Sequence, residues 1–193
     1  MFTTVHETDS AILATIIQLY CTLGFDVDAT YSTGGFYRSG EVAQPHLRFD
    51  LNPQVPGVLQ ADCRDLSLFF EAESVGSMIL DLPFIHAPGK NSIMGQRFSG
   101  FQNQKELRHV YTGAMSEASR ILIKNGILAW KCQDIVEAGR QNWTHIFLAD
   151  ICSGAFEMID LFVLGKRRVR GHNHGIQQHA RKEHCYWLVF RKR

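Results

Sequence analysis

Residues 77–84 read Ser77-Met78-Ile79-Leu80-Asp81-Leu82-Pro83-Phe84. A short apolar run ends in an acid, followed by a leucine, a proline and an aromatic. Pro83 fixes its own φ and pushes Leu82 towards an extended conformation. The run reads as a buried strand, so a carboxylate, backbone carbonyls and a ring are held in a stiff arc at its C-terminal end. Open α/β sheets keep their sites at that end. An acid, a fixed carbonyl and a flat ring suit the holding of a planar ring that carries an amino group. The plainer reading of Asp81 is a turn residue that caps the next segment.

Working outward, apolar runs alternate with amphipathic stretches. Ser10 to Cys21 reads as a helix with Thr8 or Ser10 as N-cap. Phe25–Asp28, His46–Asp50, Val58–Ala61 and Ser77–Leu80 read as four successive strands. Leu107, Val110, Tyr111, Ala114, Ala118, Ile121 and Leu122 share one helical face, and Lys124-Asn125-Gly126 reads as that helix's C-terminal stop. Ile127–Cys132 is a fifth strand, Thr144–Cys152 a helix, and Met158–Leu164 and Cys185–Phe190 the last two strands. This alternation predicts one α/β domain over residues 1–193, with a seven-stranded, mostly parallel sheet and helices on both faces. The last two strands have no helix between them and are expected to form a C-terminal antiparallel hairpin. Residues 86–105, with Gly89, Gly95 and Gly100, form a long segment that reads either as a lid or as a disordered loop.

Composition narrows the class. The chain has 193 residues, 45% hydrophobic and 20% charged, which is the profile of a globular domain. No apolar run reaches the ~18–20 residues of a membrane helix. The start, MFTTVHETDS, lacks the charged and apolar regions of a signal peptide. Cys21, Cys63, Cys132, Cys152 and Cys185 are scattered, as expected of reduced thiols in a cytoplasmic protein. The total charge of +1 hides a polarity. Residues 166–193 carry nine Lys or Arg against one acid, Glu183, a net +8 that leaves −7 on the rest. A polyanionic partner held by the hairpin loop, residues 165–184, accounts for that asymmetry; a solvated basic tail is the plainer alternative. Within the loop Lys166, Arg167, Arg168, Arg170, Arg181 and Lys182 suit phosphates, and Gln177 and Gln178 suit base edges. His172, His174, His179, His184 and Cys185 lack the regular spacing of a metal site.

Four strand ends carry an acid: Asp28, Asp50, Asp62 and Asp81. Singly, each is more simply a cap or turn residue; together they gain force, because a sheet brings its strand ends to one edge. After the first comes Asp28-Ala-Thr30-Tyr31-Ser-Thr-Gly34-Gly35, whose glycines let the chain pass close to a ligand. Asp50, followed by Leu51, can accept two hydrogen bonds from a ribose diol. Asp62-Cys63-Arg64 could meet an adenine amino group.

On these motifs and their order the chain resembles the amino methyltransferases that use S-adenosyl-L-methionine to methylate an exocyclic nitrogen of adenine or cytosine in DNA. Asp81-Leu82-Pro83-Phe84 matches three of four positions of their Asp/Asn/Ser-Pro-Pro-aromatic motif. Asp28 to Gly35 matches the glycine-rich cofactor motif in degenerate form, and Asp50 the acid that follows it. Glu117 to Leu128 is similar to their helix, turn and fifth strand. The resemblance covers nearly the whole chain. It implies a Rossmann-like class I methyltransferase fold and S-adenosylmethionine held by Asp28, Thr30, Tyr31, Gly34, Asp50, Leu51, Asp62 and Cys63. It implies catalysis by Asp81, Leu82, Pro83 and Phe84 on a flipped base, and an Asp at position 81 favours adenine. The partner would be DNA, with RNA possible; the chain would act as a monomer or homodimer. Two positions depart from the family. Ser32 stands where a glycine is usual, and Leu82 replaces the first proline.

Overall fold

In the computed structural model of the chain the described residues are 1–84, 101, 104–137, 139–165, 179–180 and 182–193. The described residues include ten strands: β1 Val5–His6, β2 Val27–Asp28, β3 Leu47–Asp50, β4 Leu59–Gln60, β5 Val75–Leu80, β6 Leu122–Cys132, β7 Ile135–Glu137, β8 Arg140–Asn142, β9 Phe156–Gly165 and β10 His184–Lys192. Eight of them form one sheet in the order β1-β9-β10-β6-β5-β2-β3-β4. Only β10 runs antiparallel to its neighbours; the other pairings are parallel. The seven expected strands are present, and β9 and β10 form the expected antiparallel pair. The count is corrected to eight by β1, a two-residue edge strand that adds Val5 and His6 beside Val163 and Leu164. A separate hairpin, β7–β8, was also not read from the sequence.

The helices cover both faces. Helix α1, Asp9–Tyr20, is capped by Thr8, whose hydroxyl accepts from the Ala11 N–H at 3.2 Å. It buries Ile12, Leu13 and Ile16 against Ile79, Ala129 and Val189 of the sheet. On the other face lie α2, Gln104–Ile121, and α3, Thr144–Cys152. Leu107, Tyr111, Ala114 and Ala118 of α2 recur every third or fourth residue and bury against Met78, Leu80, Leu128 and Trp130. Inside that stripe sits the buried Glu117, where the Leu66 N–H donates to Oε1 at 2.7 Å and the Arg120 guanidinium pairs with it at 2.6 Å. The pair ties α2 to the turn that packs Phe69 and Phe70 on Phe49.

Lys124-Asn125-Gly126 does not stop the helix. α2 ends at Ile121, and Leu122 already pairs with Val75. The register then advances five positions on β6 against two on β5, a bulge with Asn125 at φ 64°. A left-handed residue serves a bulge as well as a helix end, so the local signal was real but its context was a strand.

The order of strands reverses between β2 and β5, with β3 and β4 on one side and β6 on the other. At such a switch point the loops leaving the two central strands splay apart and open a crevice at the carboxyl edge. Asp26 fixes the relation of the two strands from below: its Oδ2 accepts from the Gly76 and Ser77 N–H groups, each at 2.9 Å.

Candidate functional site

A cleft of about 380 Å³ opens at that edge, within the size range of small-molecule sites. Its lining comes from the ends of β2, β3, β4 and β5 and from α2. Ala29, Thr30 and Ser32 follow β2; Asp50, Leu51 and Asn52 close β3; Asp62, Cys63 and Arg64 follow β4; Asp81, Leu82 and Pro83 follow β5. Phe101, Glu106, His109 and Val110 complete it. Four strand ends that lie far apart in the chain thus meet around one space.

The loop after β2 is built on Asp28. Its carboxylate is fully buried and accepts from the Thr30 N–H at 3.0 Å and the Tyr37 hydroxyl at 2.6 Å. Burial pushes its pKa up to about 7, while the Tyr37 and Thr30 bonds act the other way. Asp28 therefore shapes the loop and does not line the cleft. The same holds for Tyr31, which stacks on Tyr37 at 5.4 Å and donates to Gln44, and for Gly34 at φ 68°, where an added Cβ would strike the Tyr31 ring. These three residues sit beneath or behind the ligand-facing surface.

A raised folded pKa places a stability term below it: the term is full below the unfolded value, near 4, and is lost as pH rises through about 7. Asp28→Asn removes the titration. The variant is expected to gain stability relative to the natural chain between pH 4 and pH 8, and parallel thermal melts across that range check it.

Ser32 adopts the left-handed conformation that favours glycine, at φ 52°. Its N–H donates to Asp50 Oδ2 at 2.8 Å. The loop keeps its shape because Asp50 holds it. Relief of the left-handed strain, about 1 kcal/mol, is opposed by the similar entropic cost of a glycine, about 0.5–1 kcal/mol. Ser32→Gly is therefore expected to be nearly neutral in denaturant melts, whereas the β-branched Ser32→Val should lose about 1–2 kcal/mol.

Asp50 also accepts from the Asn52 N–H through Oδ1 at 2.8 Å. Each carboxylate oxygen thus takes one backbone donor, and it lines the cleft half-buried. Asp62 is engaged differently. Both its oxygens accept from the Arg64 side chain, at 2.5–3.0 Å, and this pairing holds its pKa below the usual range. Cys63 beside it is buried, and desolvation pushes its thiol up to about 12, so it meets a ligand as a neutral group.

At the end of β5 the Asp81 N–H donates to Thr30 Oγ1 at 2.7 Å, joining the two central loops. The Leu82 side chain is buried in the α2-face core. The chain thus anchors this turn by packing a leucine. The Pro83 carbonyl accepts from the Tyr111 hydroxyl at 3.3 Å. Phe84 packs against the α1-face cluster and is not part of the cleft lining. Of the four residues of the motif, the structure brings Asp81, Leu82 and Pro83 to the cleft.

Sequence reasoning missed Asn52, Phe101, Glu106, His109 and Val110 as lining residues. Phe101, Gln104 and Lys105 fell inside the expected lid; Phe101 is buried against Tyr111, and Gln104 and Lys105 begin α2. The rest of that segment lies outside the described residues. So do Lys166, Arg167, Arg168, Arg170, Gln177, Gln178 and Arg181 of the basic loop. Lys182 is described, with Nζ 4.5 Å from the centroid of the half-exposed Trp143. Among the described residues no group of His, Cys, Asp or Glu could hold a metal ion, and no helix is long and apolar enough to cross a membrane. All five cysteines are free thiols.

No protein-family model and no curated protein matches the sequence. Solved structures do. A protein from Clostridium thermocellum, provisionally assigned as an rRNA methylase, aligns at TM-score 0.56 and 11% identity over 97% of this chain and 98% of that one. The N-methyltransferase NodS from Bradyrhizobium japonicum, in complex with S-adenosyl-L-homocysteine, aligns at 0.53 and 11% over 96% and 88%. TrmN from Thermus thermophilus aligns at 0.55 and 14% over 95% and 48%. The chain spans about half the length of a provisionally assigned DNA modification methylase, also from Thermus thermophilus (TM-score 0.47, 18% identity, 68% of this chain and 50% of that one), a likeness too loose to carry weight. The fold is that of Rossmann-like methyltransferases.

Proposed function

We propose that the chain is an S-adenosylmethionine-dependent methyltransferase that acts on the exocyclic amino group of a nucleic-acid base, adenine in DNA in the first instance. The observation that carries this reading is the convergence of Asp50, Thr30 and Asp81 on one cleft at the switch point of a methyltransferase fold. The donor set fits the cofactor. Asp50 offers carboxylate oxygens to a ribose diol, the left-handed Ser32 lets the loop pass close, and Leu51, Cys63 and Val110 give an apolar wall for a flat ring. S-adenosylmethionine supplies an electrophilic methyl group on a sulfonium.

The protein's part is to prepare the nitrogen. An exocyclic amine on an aromatic base is a poor nucleophile because its lone pair is delocalised into the ring. Asp81 and the Leu82 carbonyl would accept its two N–H bonds, draw it towards tetrahedral geometry and free the lone pair. Alignment of the reacting atoms supplies much of the rate. The base has to leave its stack, at a cost of a few kcal/mol, and Trp143 beneath the Lys182 ammonium offers a surface where a neighbouring base could stack.

The test is transfer of labelled methyl to duplex DNA, single-stranded DNA and RNA, followed by nucleoside mass analysis. N6-methyl-2′-deoxyadenosine from DNA is the expected product. Label in RNA alone would move the substrate class, and absence of both transfer and cofactor binding would leave a non-catalytic protein of this fold.

A further inference from the structure

On the α1 face of the sheet, directly beside Asp81, the structure buries a lysine. Lys131 lies near the end of β6, opposite Trp187 of β10, and is 8% exposed. Its Nζ is 3.0 Å from Asp9 Oδ1, 3.1 Å from Asp9 Oδ2 and 3.5 Å from Asp81 Oδ2. The rings of Phe36 and Trp187 flank it at 4.8 and 5.8 Å. Trp187 Nε1 in turn donates to Asp9 Oδ1 at 2.9 Å. One ammonium therefore joins the N-terminus of α1, the end of β5 and β6 at the rim of the cleft.

Burial alone would lower the pKa of such a lysine. The carboxylates of Asp81 and Asp9 oppose this, and the net shift is upward. The other titratable groups that sense this cluster are Asp28 of β2, Tyr111 of α2 and Cys132 of β6, through Asp81, and Cys185 of β10, through Lys131. An excess of carboxylates surrounds one cation.

A buried ion pair is a poor stabiliser, because desolvation of both charges offsets their attraction; an apolar replacement of similar volume is often neutral. The cluster is better explained by what it does to Asp81 than by what it adds to the fold. We infer that Lys131 is a positioning residue of the site. It keeps the Asp81 carboxylate ionised and fixes the direction in which that group is presented to the cleft, while Asp9 and Trp187 hold the ammonium in place. Its consequence for catalysis rests on the methyl-transfer reading; the pairing with Asp81 does not.

Lys131→Met and Lys131→Arg in the full chain test this, with two readouts. The first is the Asp81 carboxyl titration by ¹³C NMR, assigned with Asp81→Asn. In Lys131→Met it is expected to move upward by about one pH unit or more. The second is the pH profile of methyl transfer. In Lys131→Met the acid limb of kcat is expected to move upward with the Asp81 titration, so that kcat falls about tenfold at a pH below that limb and recovers as pH rises above it, with KM for the cofactor unchanged, since one pH unit is one tenfold step. Lys131→Arg should return both towards the natural values. An unmoved Asp81 titration in folded Lys131→Met overturns the inference. If Lys131→Met does not fold, Asp9→Asn decides: the ammonium is then left to Asp81, whose titration must move downward. A natural chain that transfers no methyl would refute the proposed reaction, and the carboxyl titration would still decide the role of Lys131.

Discussion

Asp81→Ala is expected to lower methyl transfer by about 10²–10³-fold, the loss seen when a single preorganised hydrogen-bonding group is removed from an active site. Affinity for S-adenosylmethionine should stay nearly unchanged. The separation follows from how the strand exit is built. The contact of residue 81 with Thr30 uses its backbone N–H, so it survives the substitution. Leu82 remains anchored in the core and the Pro83 carbonyl remains bonded to Tyr111. What disappears is the carboxylate that would accept from the target amine, together with one partner of Lys131. Asp81→Asn keeps the shape and an acceptor but loses the charge, and it should fall between. Single-turnover transfer of labelled methyl, with calorimetry on the same samples, measures both quantities. A fully active Asp81→Ala would sink the mechanism, and a parallel loss of cofactor affinity would make Asp81 a cofactor residue instead.

Why the site was legible lies in its strands. Residues 25–28 and 46–50 alternate apolar and polar side chains, 77–80 is a short apolar run, and each stretch reaches an acid. A parallel sheet fixes those ends at one edge whatever the loops do, so Asp50, Asp62 and Asp81 could be brought together on paper. Spacing does not distinguish a residue that shapes a loop from one that faces its ligand. Asp28, Tyr31 and Gly34 obey the same motif as Thr30, yet tertiary packing turned them inward onto Tyr37 and one another. Phe84 went to the α1-face core for a similar reason: the face it takes is decided by α1, which is remote in sequence. β1 could not be read because two residues have no periodicity, and only the partner β9 makes them a strand. The β7–β8 hairpin had one signal, Gly139, which takes φ 72° between two three-residue strands. His109 and Glu106 lie off the apolar face of α2, where nothing local marks a polar residue as ligand-facing. Lys131 was hidden for the opposite reason. A lysine inside an apolar strand is legible as unusual, but its partners, Asp9 and Asp81, come from residues 122 and 50 positions away.

Asp50→Ala is expected to weaken S-adenosylmethionine binding by about 10–100-fold, the loss of one net hydrogen bond to a charged group at roughly 1.5–3 kcal/mol. Two effects contribute and can be separated. The carboxylate would accept from the ribose diol, and it also holds the Ser32 and Asn52 N–H groups at 2.8 Å, which keeps Ser32 in its left-handed conformation. Glycine reaches that conformation without help. If Asp50 acted only by shaping the loop, adding Ser32→Gly to Asp50→Ala would restore most of the affinity. If the diol contact dominates, the double variant should bind as weakly as Asp50→Ala alone, and this is the expected result. Methyl transfer at saturating cofactor should be far less affected than in Asp81→Ala, because Asp50 would hold the cofactor's ribose and Asp81 the reacting amine. Calorimetry of the natural chain, both single variants and the double variant decides the matter, and unchanged affinity in Asp50→Ala would refute the assigned role.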